Sequence, residues 1–298
     1  MKLGYIGLGK MGFNMVERLL EKSHEVVAFD RNPDAIKAVK SKGAQTADTL
    51  AALVSVLPSP RLVWIMVPHQ AVDAVLKELM PLLAKGDVVV DGGNSPYKES
   101  IRRSQELEAK GIDFLDAGVS GGPAGARSGA CIMVGGRKEV FQKFEALFRD
   151  LSVPDGYGYM GRSGAGHFVK MVHNGIEYGM MEALAEGFAV LKASPFQLKL
   201  GNIADLYNHK SVIASQLVEW LRQAYEQHGD DLRDVSGSAA QSGEGAWTVE
   251  AGNEFGIPMP IIKGALDFRI QSLNHPSYTG KIVSALRHQF GGHDEKAK

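Results

Sequence analysis

Within residues 164 to 186, GAGHFVKMVHNGIEYGMMEALAE, five polar side chains interrupt an otherwise apolar run: Lys170, His173, Asn174, Glu177 and Tyr178. At 3.6 residues per turn this spacing puts them on one helix face, within roughly 140° of arc. A base, an acid and several hydrogen-bonding groups on one face form a set suited to proton transfer. The alternative is a solvated stripe, but such stripes are usually richer in Glu and Lys. Phe168, Val169, Val172, Ile176 and Met180 are expected to bury the opposite flank.

A second constellation lies at the start of the chain, where an apolar strand is followed by Gly7, Leu8, Gly9, Lys10, Met11 and Gly12 and then by an amphipathic segment. In a G-x-G-x-x-G turn the first glycine permits the tight bend, the second lets the backbone approach a pyrophosphate and the third allows helix to pack on strand. The phosphate then rests on the helix N-terminus. Asp30, at the end of the second expected strand, is placed to accept hydrogen bonds from an adenosine ribose. Its carboxylate repels a 2′-phosphate, whereas Arg31 could attract one or stack on the adenine, so NAD is expected as cofactor with NADP as the alternative. Asn94, in DGGNS, offers an uncharged donor and acceptor near a nicotinamide carboxamide. Ser120, Gly121 and Gly122 expose a hydroxyl and backbone N–H groups suited to a substrate carboxylate.

These residues need a scaffold, and the first half of the chain provides short apolar runs alternating with amphipathic helical segments. That pattern predicts a mostly parallel sheet flanked by helices. Beyond about residue 164 helical periodicity dominates. The expected architecture is an N-terminal α/β Rossmann domain over residues 1–163, followed by an all-helical substrate-binding and oligomerisation domain over 164–298, with the connection in the glycine-rich DGYGYMGRSGAG. A chain of 298 residues has ample length for two such cores. Net charge of −1 gives no general attraction for nucleic acid or an anionic membrane. With one cysteine, Cys131, expected in the core, and neither a secretory leader nor a long apolar run, a reducing cytoplasm fits best. No convergent His, Asp and Cys set suggests a metal site.

G-L-G-x-M-G, D-G-G-N-S, V-S-G-G and K-x-x-H-N-x-x-E-Y, in this order, resemble the β-hydroxyacid dehydrogenases and within them the 6-phosphogluconate dehydrogenase family. The terminal RHQFGGH resembles that family's R-x-x-F-G-x-H. The resemblance spans nearly the whole chain and points to the short form, with one helical substrate unit. It implies oxidative decarboxylation of 6-phosphogluconate with reduction of NAD or NADP. Lys170 would serve as base and then acid, which burial or a neighbouring positive charge would favour, and Glu177 would protonate the enediol carbon. His173 and Asn174 would orient the substrate together with Asn94, Ser120, Gly121 and Gly122. Tyr178, Arg269 and Arg287 would hold the phosphate, His293 would help complete the substrate pocket, and Val67 would line the cofactor site. It further implies a homo-oligomer, dimer or tetramer, in which the tail bearing Arg287 and His293 completes a neighbour's site. Ser242 and Glu244 depart from the longer enzymes, where a lysine and a threonine stand, and a carboxylate there would oppose a phosphate dianion. A 3-hydroxyacid dehydrogenase acting without decarboxylation and a non-catalytic nucleotide sensor are the other two readings. Relatives of the former usually carry K-x-x-N-N and lack the E-Y pair, while a sensor needs neither Lys170 nor Glu177.

Overall fold

The protein, seen in a computed structural model that describes residues 1–292, forms two compact units, Met1–Met171 and a second from Val172 on. The first is built on strands β1 (Lys2–Ile6), β2 (Glu25–Phe29), β3 (Gln45–Thr46), β4 (Leu62–Ile65), β5 (Val88–Asp91), β6 (Asp113–Ser120), β7 (Ala130–Gly136) and β8 (Ser152–Gly161). They lie side by side in the order β3-β2-β1-β4-β5-β6-β7-β8. All pairings are parallel except β6 with β7.

The nearly continuous apolar runs of β1, β4 and β5 reflect a sheet covered on both faces. Because successive side chains point to opposite sides, Leu62 and Trp64 join one buried cluster with Tyr5 and Val90, while Val63 and Ile65 join another with Ile6 and Val89. Tyr5 stacks on Trp64 with ring centroids 6.2 Å apart. Burying Trp64 alone contributes on the order of 3 kcal/mol or more of hydrophobic stabilisation.

Two features differ from the sequence expectation. The glycine-rich stretch around residues 155–161, read as a connection, lies in strand β8, where Tyr157 and Tyr159 both pack on Phe141. Alternation of tyrosine with glycine is a period-two pattern, and the glycines masked it. Cys131 is exposed rather than in the core: Ala130, Ile132 and Val134 take the buried side of β7, so the intervening residue faces the other way.

In the second unit helices Leu200–Asn208, Gln216–His228, Glu244–Glu254, Pro260–Ser272 and Tyr278–Gly291 accompany the later turns of a 29-residue helix, Ala165–Ala193. No strand element follows β8 among the described residues. Met181, Ala185 and Phe188 form a core with Leu217, Leu221, Val283 and Leu286. Ser215 and Ser277 fix two helix starts by accepting hydrogen bonds from the N–H groups of Val218 and Gly280.

Candidate active site

Gly7 follows β1 with φ at +101°, and a side chain there would run into the Met66 carbonyl. A methyl on Gly12 would overlap the Gly7 carbonyl, so the helix Lys10–Glu21 can approach the loop only because both positions are bare. Gly9 is different: its missing side chain points into open space, with nothing within 4 Å. As N-cap it offers no side chain to the first-turn N–H groups, and such groups attract an anion. These features fit a dinucleotide pyrophosphate. Lys10 is exposed and Met11 half-buried in the first turn. The Asp30 carboxylate accepts the Leu8 N–H at 2.5 Å and the Asn32 N–H at 2.7 Å, tying the glycine loop to the end of β2. Arg31 is exposed. Val67 sits between the two glycine turns, its side chain beside Gly7 and its carbonyl beside Gly93.

Asn94 follows β5 on a turn fixed from below. Asp91 accepts the Gly93 N–H at 3.1 Å and the Ser95 hydroxyl at 2.7 Å, and buried Arg103 donates to Ser95 at 3.0 Å. Ser120 closes β6, and Gly121 and Gly122 turn the chain away with positive φ.

Lys170 belongs to the same unit and is 7% exposed. It packs where a side chain on Gly118 of β6 would stand: a methyl there would overlap the Lys170 Cβ. The helix bearing Lys170 is gripped at its first turn by buried Asp116 of the same strand, which accepts the N–H groups of Gly164 at 2.7 Å and His167 at 2.8 Å. His167 Nδ1 lies 2.7 Å from the Ser100 hydroxyl. Lys170 is thus positioned by Gly118, Asp116 and His167, none of which the sequence reading singled out.

Further along the helix, His173 Nδ1 lies 2.9 Å from Asn174 Oδ1 and 3.8 Å from Glu177 Oε2. Tyr178 is buried, and its hydroxyl accepts the Ser242 N–H at 3.4 Å. The Arg269 guanidinium carbon lies over its ring, 3.4 Å from the centroid. Glycines allow this closeness: side chains on Gly245 and Gly175 would come within 2.5 Å of Tyr178 and Thr248. Glu244, beside Gly245, is buried at the start of its helix. Arg269 is 2% exposed; its Nη2 meets Met181 Sδ at 3.3 Å, and its Nε has no hydrogen-bond partner among the described residues. Burial, foremost, and the nearby Arg287 charge lower the Arg269 pKa, while Tyr178, Glu177 and Glu182 act in the opposite direction. Arg287 is itself buried, in a helix whose Phe290 packs on Trp220 at 5.6 Å. His293 lies outside the described residues. The apolar flank expected opposite the stripe is not the buried one: Ile176 is 52% and Met180 44% exposed, while Met171, Tyr178 and Met181 face inward. Periodicity gives the faces of a helix but not which neighbour covers each.

Residues 2–161 match the NAD binding domain of 6-phosphogluconate dehydrogenase, and residues 166–294 match the 6-phosphogluconate dehydrogenase C-terminal domain. The chain belongs to the 6-phosphogluconate dehydrogenase family. Among its relatives in that family, YqeC of Bacillus subtilis is 47% identical over 298 residues, all of both chains. A Haloferax volcanii protein named as an NAD(+)-dependent, decarboxylating 6-phosphogluconate dehydrogenase is 43% identical, across 100% of this chain and 99% of its own. The solved Plasmodium falciparum 6-phosphogluconate dehydrogenase, described with NADP+ and with 6-phosphogluconate, superposes with a TM-score of 0.81 at 29% identity over 92% of this chain. This chain spans 62% of that longer one. Among the described residues of this 6-phosphogluconate dehydrogenase family member, no helix is long and apolar enough to cross a membrane.

Proposed function

We propose that this protein catalyses the NAD-dependent oxidative decarboxylation of 6-phosphogluconate to ribulose 5-phosphate and CO2. The observation that carries the reading is the polar stripe from Lys170 to Tyr178, ending at a buried arginine stacked on Tyr178 whose Nε lacks a hydrogen bond. A buried, planar guanidinium held mainly by a ring face and a thioether suits a multiply charged anion such as a phosphate ester, whose oxygens its fork of N–H donors can meet in pairs.

The glycine loop, Asp30, Val67 and Asn94 hold the NAD, which supplies the hydride acceptor. Lys170 takes the proton of the substrate's C3 hydroxyl as that carbon is oxidised. The resulting β-keto acid loses CO2 when Lys170 returns the proton to the ketone oxygen, so one amine serves both steps. Glu177 then delivers a proton to C1 of the enediol. His173 and Asn174 orient the hydroxyl and carboxylate, the latter also held by Ser120 and the Gly121 and Gly122 backbone. Tyr178, Arg269 and Arg287 hold the phosphate, and His293 completes the substrate pocket. The Asp30 carboxylate at the end of β2 supports NAD over NADP.

Residues 1–163 serve the cofactor and 164–298 the substrate and assembly. Exposed Val190, Phe196, Leu206 and Val212 of the second unit support a homo-oligomer, dimer or tetramer, and a single unbridged cysteine suits a cytoplasmic protein. A steady-state assay following NADH and CO2 with 6-phosphogluconate, gluconate and 3-hydroxyisobutyrate tests the reading. The phosphorylated acid should give the highest kcat/KM with release of CO2. Preferred turnover of 3-hydroxyisobutyrate without CO2 would replace it with simple 3-hydroxyacid oxidation.

A further inference from the structure

One turn beyond Tyr178 the helix carries Glu182, which the proposed chemistry does not use. It is 7% exposed, and neither carboxylate oxygen has a hydrogen-bond partner among the described residues. Arg269 stands close enough for each charge to act on the other, yet Arg269 Nε is equally unpartnered. Two opposite charges buried near one another ordinarily close into an ion pair, because an unpaired buried charge is costly. Here they do not.

The chemistry of the two groups resolves this. Guanidinium keeps its proton at any physiological pH, whereas a buried carboxyl can discard its charge by binding one. Burial first, and then the Glu186 carboxylate, push the Glu182 pKa up to about 7, with Arg269 pulling it back. The other charged groups acting on Arg269 are Glu177 from the same helix and Arg287 from the helix Tyr278–Gly291. Glu244 begins the helix that packs on Tyr178.

We propose that Glu182 is a proton-linked positioning residue that sets the charge Arg269 presents to a phosphate ester: neutral Glu182 leaves Arg269 to the dianion, and ionised Glu182 competes with it. This rests on the reading of Arg269 as a phosphate ligand. Phosphate binding above neutral pH then draws a proton onto Glu182, since bound negative charge disfavours a second one nearby.

The test uses the full-length protein, with inorganic phosphate as competitor and 6-phosphogluconate as substrate, between about pH 6.5 and 8.5. In the wild type, KM and the phosphate inhibition constant, each expressed for the dianion because phosphate itself titrates in this range, should rise by about tenfold across it, the effect expected of one unit charge several ångströms away. Glu182→Gln, which mimics the neutral carboxyl, should flatten both profiles, with the change carried by KM and not by kcat. Calorimetry on the wild type in buffers of different ionisation enthalpy needs no variant and should register proton uptake on phosphate binding at pH 8. Arg269→Ala separates the two levels of the argument. If it leaves the phosphate inhibition constant unchanged, the phosphate reading falls and Glu182 with it. If it weakens phosphate while Glu182→Gln keeps the wild-type pH slope, or the wild type takes up no proton, the Glu182 role alone is overturned.

Discussion

The two units treat buried charge in opposite ways. In the nucleotide unit Asp87 accepts from the Arg61 and Ala84 N–H groups, Asp91 from Gly93 and Ser95, and Asp116 from Gly164 and His167, so each carboxylate fixes a turn or a helix start. In the helical unit Glu182 and the Arg269 Nε stay unsatisfied. The first unit uses these three carboxylates to hold backbone in place, as suits a cofactor met largely by main chain. The second keeps charge in reserve, as suits an anion met by side chains.

Four substitutions would break or sharpen this contrast. The largest effect is expected for Lys170→Met, which should lower kcat by at least ~10²-fold while NAD binding persists; near-normal turnover in a rapid-mixing assay would refute the role of Lys170. Arg269→Ala should raise KM for 6-phosphogluconate by about 10- to 100-fold through loss of charge-assisted hydrogen bonds worth about 1.5–3 kcal/mol, with much less change in KM for NAD. Equal changes in both constants would mean that the helical charge is not reserved for the substrate. Gly118→Ala should cost about 1–3 kcal/mol by overpacking, read from denaturant unfolding, and should depress kcat as Lys170 is displaced. A stable variant with intact kcat would show that β6 does not position the lysine. Asp30→Ser should shift the kcat/KM ratio towards NADP by about tenfold, through removal of one repulsive charge; an unmoved ratio would assign cofactor choice to other residues.

How much of this was legible in the sequence follows the same division. Backbone-determined features left strong marks: Gly7 and Gly12 are bare because a carbonyl occupies the space, and that demand fixes residue type. The alternation of strands and helices was equally plain, apart from the two-residue β3 and the glycine-masked β8. Side-chain features were only half visible. The stripe from Lys170 to Tyr178 follows from helical spacing, but the exposure of Ile176 and Met180 depends on which helices come to pack there. Glu182, within EALAEG, reads as an ordinary solvated glutamate, and only the arrival of Arg269 from 87 positions later distinguishes it. Asp116 was similarly silent, since its partners Gly164 and His167 lie 48 and 51 residues away.

The unsatisfied groups around Tyr178 also bear on how long the molecule survives. The Glu182 pKa is raised in the folded chain, so the stability this group contributes is full below the ordinary glutamate range and declines as pH rises through about 7. At the same pH Arg269 remains charged and underpaired. A phosphate ester that binds only the folded form adds stability in proportion to the logarithm of its concentration. The chain should therefore survive heating better at pH 8 with inorganic phosphate present than without it, and a thermal unfolding midpoint that phosphate leaves unmoved would count against a ligand at Arg269.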